Sequence, residues 1–486
     1  MTRIGNSLPA MAMSPGPGPV AEDGGRSAVD GGNHETGLSG ARRRWAAFAV
    51  GLAVIISVMD GVMLNIALPA IQRSLDATPA SVIWVVNAYQ LAVAIVLLPL
   101  GKSADIFGHR RVYMTCLAVF TIASVGCALS TSLVPLSIFR FAQGCGGAGI
   151  LGITNAMMRH IYPPRLLARG IATNSLVVAL SLALAPTISS LIVTWASWQW
   201  LFLVNLPTGL LLLFVGARVL PDTPGSGDRF DFVGALLCIG TFGLIILALD
   251  AKAHQQGLWA PILLGVAGIG LFAPFLRHQL RLAAPLLPVD LLRGRMFGLS
   301  VGTMFCAAMA QIMAYVSLPF FFQYGLGRSQ IETGLLFLPW PIAIACIAPV
   351  SGRLGTRFPA ALLCGVGLGV FACGLLSLAF LAPGATVLDI GWRMALCGLG
   401  YGFFQPTNSR ALITSAPLGR SGSASVMGAA ARVLGQASGA ALVASIFRLI
   451  PAGATSVALL IAAAIAIAGG FASLGRGMRA AEAAAG

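Results

Sequence analysis

The sequence predicts an all-α polytopic membrane protein, and composition, scarcity of charge and the length of the apolar segments support this. Of the 486 residues, 57% are hydrophobic and only 9% are charged, and the mean hydropathy is +0.88. A water-soluble domain keeps roughly a quarter of its residues charged. The apolar segments are long enough for helices of about 20 residues, the length that crosses a bilayer. The chain is therefore expected to be a multi-pass protein of the inner or plasma membrane, surrounded by the lipid bilayer.

Fourteen apolar segments are predicted to be membrane-spanning helices, called spans 1 to 14 below. They cover residues 45–70, 82–103, 111–131, 134–157, 168–194, 198–219, 231–250, 258–277, 297–323, 333–353, 360–382, 388–412, 423–448 and 453–474.

The basic residues beside these spans predict their orientation. Lysine and arginine are enriched on the cytoplasmic side of membrane proteins. If the N-terminus is cytoplasmic, 21 of these residues fall on the cytoplasmic side and 4 on the other. An odd number of spans would spoil this pattern, so both termini are expected in the cytoplasm. Orientation in the bilayer also explains the net charge of +15 without any binding of nucleic acid.

Short motifs recur in the two ends of the chain, in the same order and at a nearly constant offset. The matched pairs are Leu68-Pro69 with Leu318-Pro319, Gly101-Lys102 with Gly352-Arg353, Arg140 with Arg393, and Thr154-Asn155 with Thr407-Asn408. This repeat predicts two six-helix bundles related by a pseudo-two-fold axis, with two helices inserted between them. Repeats of this kind place a substrate site near the bilayer midplane, between the halves.

The predicted domains follow from the spans and the repeat. They are a disordered cytoplasmic tail at 1–44, an N-terminal six-helix bundle at 45–220, an inserted helix pair at 231–277, a C-terminal six-helix bundle at 297–474 and a cytoplasmic tail at 475–486.

Few charged residues lie inside the spans, and such residues are costly and often functional. Asp60 is the only acid placed deep in the bilayer, while Arg140, Arg393 and Arg432 are the candidate cations. A low dielectric favours the neutral form of a carboxyl group, and a nearby cation favours the ionised form. Asp60 is therefore a candidate proton carrier, and the alternative is that it only pairs with an arginine to hold helices together. Arg393 and Arg432 are expected to be structural, because no deep acid in the second half could partner them.

Polar uncharged residues inside the spans are candidates for a substrate cavity. Each alone is more often a helix–helix hydrogen bond than a ligand contact, but together they suit an amphipathic organic molecule. They are Asn65, Asn87, Tyr89, Gln90, Gln143, Asn155, Gln311, Tyr315, Gln323, Gln405, Asn408 and Gln436.

The stretch GKSADIFGHRR, Gly101 to Arg111, is the most polar segment between two spans. Gly101 and Gly108 would permit a tight turn and a close helix approach. Asp105 could cap a helix of the second half, or pair with Arg110 or Arg111. The segment is predicted to be a cytoplasmic gating loop, and the alternative is that it only sets topology.

Other chemistries find little support in the sequence. A phosphate-binding loop needs G-x-x-x-x-G-K-[ST] after a strand, but Val96 stands where the first glycine would be and an apolar helix precedes Gly101. No catalytic or metal-binding constellation is visible. The protein is therefore expected not to be an enzyme, and to need no cofactor, metal or nucleotide beyond the proton as coupling ion.

These motifs resemble those of the major facilitator superfamily, in particular its fourteen-span drug:proton antiporter branch. GKSADIFGHRR is similar to the loop signature between spans 2 and 3. MDGVMLNIALP, which contains Asp60, resembles the span 1 motif, and RFAQGCGGAG carries the arginine and glycines of span 4. WVVNAYQL and WQWLFLVNLPTG are similar to the starts of spans 2 and 6.

The resemblance implies a proton-coupled antiporter that exports hydrophobic or amphipathic small molecules, such as drugs, by alternating access. It implies that Asp60 takes up a proton from outside and that Arg140 modulates its proton affinity. In span 5 the branch usually has G-P-x-x-G-G, whereas this chain keeps Pro186 but has Ala185, Ser189 and Ser190 in place of the glycines. Two alternatives stay open: a proton-coupled importer or facilitator of a metabolite, and a transport-dead sensor. The sequence does not indicate whether periplasmic adaptor proteins are partners.

Overall fold

The computed structural model of the chain describes residues 38, 40–227, 230–251, 259–282, 289–354, 357–382, 384–415, 421–450 and 453–485. This part of the chain is helical and contains no β-strand. The α-helices are α1 (Gly40–Ser74), α2 (Pro79–Phe107), α3 (His109–Ala128), α4 (Leu133–Ile161), α5 (Pro164–Trp195), α6 (Trp200–Leu203), α7 (Asn205–Val219), α8 (Phe232–Ala251), α9 (Trp259–Arg281), α10 (Arg295–Phe320), α11 (Gln330–Phe337), α12 (Pro339–Leu354), α13 (Ala360–Ala379), α14 (Val387–Thr414), α15 (Ser421–Leu449) and α16 (Ala454–Ala485). A 3₁₀ turn, Val289–Arg293, precedes α10, and a π-helical turn, Phe321–Gly325, follows it.

Each predicted span coincides with a helix or with a consecutive pair of helices. Among the described residues, twelve helical segments are long and apolar enough to cross a membrane. Two predicted spans are not among the twelve. Span 7 corresponds to α8, of which Phe232–Ala248 counts as a shorter apolar helix, and span 12 corresponds to α14. The protein is thus an all-helical polytopic membrane protein, and the number fourteen stays a prediction.

The two ends of the helical region differ from the predicted tails. Helix α1 begins at Gly40, so the last five residues of the predicted tail are helical, and most of the rest lies outside the described residues. Helix α16 continues to Ala485 through the segment predicted as a tail. Arginine and alanine are good helix formers, so both helices extend beyond their apolar segments. The hydropathy signal reports only the apolar part of such a helix.

The two halves of the chain use the same set of helix neighbours. In the first half, α1 packs against α5 and α7, α4 against α2 and α3, and α3 against α7. In the second half, α10 packs against α15 and α16, α14 against α12 and α13, and α13 against α16. These pairings correspond one to one under the sequence repeat. The division into two bundles stays a prediction.

Helices of the two halves also contact each other. Helix α2 packs against α15, and α5 packs against α11 and α12. Near the C-terminal end of α1, the Tyr324 hydroxyl donates to the Pro69 carbonyl at 3.2 Å, and Gln330 Nε2 donates to the Ile66 carbonyl at 2.8 Å. The two halves therefore contact each other near the C-terminal end of α1. This end of α1 lies beyond the buried site described next.

Candidate functional site

A buried ion pair lies in the first half, between α1 and α4. Arg140 Nη1 donates to Asp60 Oδ2 at 2.5 Å, and the two residues are 1% and 5% exposed. Arg140 Nε also donates to the carbonyl of Val85 on α2 at 3.4 Å. The two charges that the sequence places deep in the first half therefore meet, in surroundings from which water is largely excluded.

Neutral side chains complete the coordination of the Asp60 carboxylate. Its Oδ1 accepts hydrogen bonds from Gln143 Nε2 at 2.9 Å and from Asn205 Nδ2 at 3.0 Å. The same two amides contact Ser124 Oγ at 2.7 and 3.4 Å. Since α1, α3, α4 and α7 each contribute a side chain, the network ties four helices together around one negative charge.

Aromatic rings cover the Arg140 guanidinium. Its Cζ lies 4.4 Å from the ring centroid of Tyr89 and 5.6 Å from that of Phe202, distances at which a cation is attracted to the ring face. Its Nη1 also donates to Gln143 Oε1 at 2.6 Å. The cation is thus held by the carboxylate, an amide and two rings, all contributed by the first half.

The glycines of α4 allow this arrangement. Gly144 and Gly147 follow Arg140 and Gln143 by one turn on the same face of the helix. A Cβ at Gly144 would lie 2.6 Å from the Tyr89 carbonyl oxygen, and one at Gly147 would lie 2.3 Å from the Tyr89 hydroxyl. Only glycine permits this approach of α2, which brings the Tyr89 ring over the guanidinium.

The network defines what protonation of Asp60 would do. Removing the charge of one member of a buried pair costs about 3–5 kcal/mol, because the other charge is left uncompensated. A neutral Asp60 would therefore favour any helix arrangement that gives Arg140 water or another partner. A proton on Asp60 would thus weaken the contact that ties α1 to α4.

The polar residues predicted to line a cavity are distributed over several environments. Tyr89 and Gln143 belong to the buried network. Asn408 is fully buried and bonds to α10, where its Nδ2 donates to the Ser300 carbonyl and its Oδ1 accepts from the Thr303 hydroxyl, both at 3.0 Å. Asn408 thus makes the helix–helix contact that was the alternative interpretation of such residues.

The other predicted cavity residues range from buried to exposed. Tyr315 is buried, and its ring packs edge-on against Phe337 and Trp340. The buried ones also include Asn65, Asn87 and Gln90, the half-buried ones are Gln311, Gln323, Gln405 and Gln436, and Asn155 is exposed. A role in substrate binding stays a prediction for all of them.

One cavity of about 780 Å³ lies at the end where the halves are joined. Thr78, Phe321, Tyr324 and Arg448 are among its lining residues. None of the predicted cavity residues lines it.

In the predicted gating loop, the two glycines have different roles. Gly108 lies between α2 and α3 at φ +95°, and a Cβ there would lie 2.2 Å from the carbonyl oxygen of Thr223. Gly101 lies within α2, and a Cβ there would meet nothing within 4 Å. The expected tight turn and close approach therefore hold for Gly108 and not for Gly101.

The charged residues of this loop do not pair as expected. Asp105 is exposed, and its Oδ1 lies 3.2 Å from His109 Nε2, so its partner is neither Arg110 nor Arg111. Arg110 instead bonds to Asp222 and to the Ala217 carbonyl. Arg111 is exposed. The sequence expectation considered only partners within the motif or in the second half, whereas Asp222 lies just after α7.

Residues 220–227, the connector after α7, hold this loop through its backbone as well. The Arg110 amide donates to Thr223 Oγ1 at 2.8 Å, and the Ser226 amide donates to the Asp105 carbonyl at 2.9 Å. A Cβ at Gly225 would lie 1.9 Å from the Ile106 carbonyl oxygen. The predicted gating loop is therefore held by hydrogen bonds to another segment of its own half.

Small residues around Pro186 let α5 approach two other helices. Ser189 Oγ donates to the carbonyl of Met63 on α1 at 2.6 Å. A Cβ at Gly334 of α11 would lie 2.2 Å from Ser190 Oγ and 2.8 Å from the Pro186 carbonyl oxygen. The serines that replace the usual glycines thus still permit close packing between the halves.

Sequence reasoning missed four residues of these contacts. Asn205 lies inside span 6, so the rule that selected other polar residues within spans could have found it. Ser124 has no distinguishing signal, because serine is common in membrane helices. Asp222 and Thr223 lie in a polar connector, and only their positions in space relate them to the gating loop.

The contribution of Asn205 to protein stability can be measured by comparison with Asn65, another buried asparagine. We expect Asn205→Ala to lower the stability of the purified protein by about 1–2 kcal/mol, because the buried carboxylate loses a hydrogen bond. Asn65→Ala should be nearly neutral, since among the described residues Asn65 Nδ2 reaches only the Gly61 carbonyl of its own helix at 3.5 Å and Asn65 Oδ1 has no hydrogen-bond partner. Thermal unfolding in detergent, followed by tryptophan fluorescence, compares the two. The reverse order of the two variants would contradict the assigned network.

Comparison with known proteins places the chain in a family. The profile of the Major Facilitator Superfamily matches residues 50–441. The chain is 46% identical over 435 residues to the uncharacterized transporter YebQ of Escherichia coli (strain K12). This alignment covers 89% of this chain and 95% of YebQ. It is 31% identical over 414 residues to the tetracenomycin C resistance and export protein of Streptomyces glaucescens, covering 84% of this chain and 77% of that protein.

A solved structure supports the same assignment at the level of the fold. A POT family transporter in complex with a thioalcohol conjugated peptide matches with a TM-score of 0.66 at 17% identity, covering 88% of this chain and 94% of that one. Identity this low shows the fold alone. The chain belongs to the Major Facilitator Superfamily.

Proposed function

We propose that the protein is a proton-coupled antiporter that exports hydrophobic or amphipathic small molecules by alternating access. The observation that carries the proposal is the enclosed Asp60–Arg140 pair with its amide ligands. Intramembrane carboxylates paired with a cation are a usual component of proton relays in transporters. Asp60 is the proton carrier in this proposal, and Arg140 sets how readily it takes up the proton.

The helix contacts fit an alternating-access mechanism. If both termini are cytoplasmic, as the basic residues predict, the contacts of Tyr324 with Pro69 and of Gln330 with Ile66 close the outer end. The structure then corresponds to a state closed to the outside. Protonation of Asp60 would weaken the ion pair within the first half and favour rocking of the two bundles about the site.

We also propose the fourteen-span architecture and the drug:proton antiporter branch. Adding α8 and α14 to the twelve candidate spans gives an even number and keeps both termini on one side. Helices α8 and α9 pack against each other, and α8 packs against α2 and α15, as expected for a pair inserted between two bundles. The six-helix bundles correspond to α1–α7 and α10–α16.

The direction of transport is part of the proposal. One relative is named for resistance to and export of tetracenomycin C, and the packing around Pro186 retains the small residues of the antiporter motif. Export of toxic compounds would give resistance to them, including antibiotics. The proposal requires neither a cofactor nor an adaptor protein.

Transport in everted membrane vesicles tests this function. Compounds are first selected as those to which cells lacking the protein are more sensitive than cells containing it. With the vesicle interior acidified, we expect accumulation of such a compound together with alkalinisation of the lumen. One proton across about 100 mV supplies roughly 2.3 kcal/mol, which sustains about a fifty-fold gradient. Accumulation only with the opposite gradient would indicate an importer, and no flux with any compound would favour a sensor.

A further inference from the structure

Arg432 lies within the membrane part of α15, eight residues beyond Ala424, where the candidate span begins. Arg140, Arg393 and Arg432 are the candidate intramembrane cations of the sequence, and two of them have an acid partner. Arg140 pairs with Asp60 at 2.5 Å, and Arg393 pairs with Asp389 at 3.1 Å. Within the described part of the chain, Arg432 forms neither an ion pair nor a hydrogen bond.

Among the described residues, no acid of the helices packed against α15 forms an ion pair with Arg432. Between the start of α10 and the end of α15 the only acids are Glu332 and Asp389. Glu332 belongs to the capping box at the start of α11, and Asp389 is already paired. In α2, which packs against α15, the only acid is Asp105, in its last turn. The remaining acids of the packed helices are Asp250 in α8 and Glu482 in α16, each within four residues of a helix end.

The position of Arg432 on its helix places it toward other helices and not toward lipid. Residues 428, 432 and 435 share one face of a helix. A Cβ at Gly435 would lie 2.4 Å from the Phe305 carbonyl oxygen of α10, and one at Gly428 would lie 3.3 Å from the Leu412 side chain of α14. Arg432 therefore occupies the face that α15 turns to α10 and α14.

The surroundings of Arg432 offer hydrogen-bonding groups without a negative charge. Tyr401 is buried on α14, which packs against α15. Gln405 follows Tyr401 by one turn, and Gln436 follows Arg432 by one turn, so each shares a face with its neighbour. Both glutamines are half-buried, and neither side chain makes a hydrogen bond within the described residues.

This part of α15 also borders the other half of the chain. Val433 and Ala437 pack in one cluster with Leu91 and Ile95 of α2. In transporters built from two repeats, substrate sites lie between the repeats at the level of the bilayer. A cation here is therefore placed where a transported molecule would pass.

We propose that Arg432, assisted by Gln405 and Gln436, binds the negatively charged group of the transported molecule, so that the protein prefers amphipathic anions such as carboxylates and sulfonates. An isolated charge inside a membrane protein is costly and is expected to have a partner, and among the described residues no acid forms an ion pair with Arg432. Guanidinium groups suit carboxylate and sulfonate oxygens because their donors form a planar fork. This inference rests on the proposed transport function.

An anionic substrate also changes the electrical balance of the exchange. Export of a monoanion against entry of one proton moves two positive charges inward, whereas export of a neutral molecule moves one. The membrane potential therefore drives anion export twice as strongly per molecule. A cation exchanged for one proton would move no net charge.

Matched probes test the preference directly. Pyrenebutyrate carries a carboxylate, and pyrenebutanamide has the same skeleton without a charge. Equilibrium binding to the purified protein in detergent is followed by energy transfer from tryptophan to pyrene, and flux is measured separately in proteoliposomes. The variants are Arg432→Gln, Arg432→Lys and, as the matched control, Arg393→Gln, whose charge Asp389 already compensates.

We expect the wild type to bind pyrenebutyrate about tenfold more tightly than the amide, as for one charge-assisted contact. Arg432→Gln should lose this preference and keep its affinity for the amide. Arg432→Lys should retain part of the preference, and Arg393→Gln should keep all of it.

No preference in the wild type, or an unchanged preference in Arg432→Gln, would overturn the inference. Binding with this pattern but without flux would uphold the anion site and contradict the proposed transport function. If Arg432→Gln fails to fold, Arg432→Lys is the deciding variant. An undiminished preference of that variant for the carboxylate would contradict binding through the planar guanidinium fork of Arg432.

Discussion

Replacing Asp60 with asparagine is expected to abolish proton-driven transport. Asparagine cannot release a proton, so an imposed pH gradient would no longer be converted into a substrate gradient. Accumulation in proteoliposomes should fall from as much as about fifty-fold per proton to equilibration. Substrate-induced quenching of a pH-sensitive dye measures the proton flux, and labelled substrate measures the accumulation. Persistent coupled transport by this variant would remove Asp60 from the mechanism.

Two controls separate loss of coupling from loss of folding. Asparagine has one acceptor oxygen, whereas the Asp60 carboxylate accepts from Arg140, Gln143 and Asn205. The variant also leaves the Arg140 charge uncompensated, at a cost of about 3–5 kcal/mol. The double variant Asp60→Asn/Arg140→Gln removes that charge and should recover stability without recovering coupling. Exchange of labelled for unlabelled substrate, which needs no proton, should persist in the single variant if it folds.

Replacing Gly108 with alanine is expected to destabilise the protein by about 3 kcal/mol. The backbone there has φ +95°, a region that L-residues adopt only at a cost of about 1–3 kcal/mol. The added methyl would also lie 2.2 Å from the Thr223 carbonyl oxygen, a backbone atom that cannot move unless the connector 220–227 shifts. The variant should unfold in detergent at a clearly lower temperature than the wild type.

Gly101→Ala is the matched control, since it makes the same change in the same motif. Gly101 is inside α2 with nothing within 4 Å of an added Cβ, and alanine is favoured over glycine in a helix by about 0.5–1 kcal/mol. We expect equal or slightly higher stability. Similar losses for both variants would show that the motif depends on glycine flexibility in general and not on the contact with Thr223.

The helices were largely predictable because insertion into a bilayer depends mainly on the summed hydrophobicity of a segment. A segment crosses when its summed transfer free energy is favourable and its backbone groups bond internally, and both follow from local sequence. Each predicted span therefore coincides with one helix or a consecutive pair. The ends were not predictable in the same way: α1 begins at Gly40 and α16 continues to Ala485, because good helix formers extend a helix beyond its apolar part.

The intramembrane charges were visible in the sequence, and the resemblance associated Asp60 with Arg140, but the other contacts around this pair were not visible. Asp60 and Arg140 stand out because acids and arginines are rare in apolar segments. Their contact joins residues 80 positions apart, and Asn205 lies 145 positions from Asp60. Similarly, Arg110 meets Asp222 across 112 positions. For the predicted gating loop, the expected partners lay within the motif or in the second half, whereas Arg110 bonds to Asp222 of its own half.

The sequence by itself determined that this is a helical membrane protein, that its two ends repeat, and that Asp60, Arg140, Arg393 and Arg432 are its candidate intramembrane charges. Only the tertiary structure decided which of these charges meet. Arg140 and Arg393 occupy equivalent places in the repeat, yet one pairs with a buried acid and the other with Asp389 in its own helix. Each residue turns a helix by about 100°, so partners depend on the rotation and relative depth of whole helices. The rotation and depth of each helix are set by packing across the entire bundle. They cannot be obtained from the hydrophobicity or propensity of local segments.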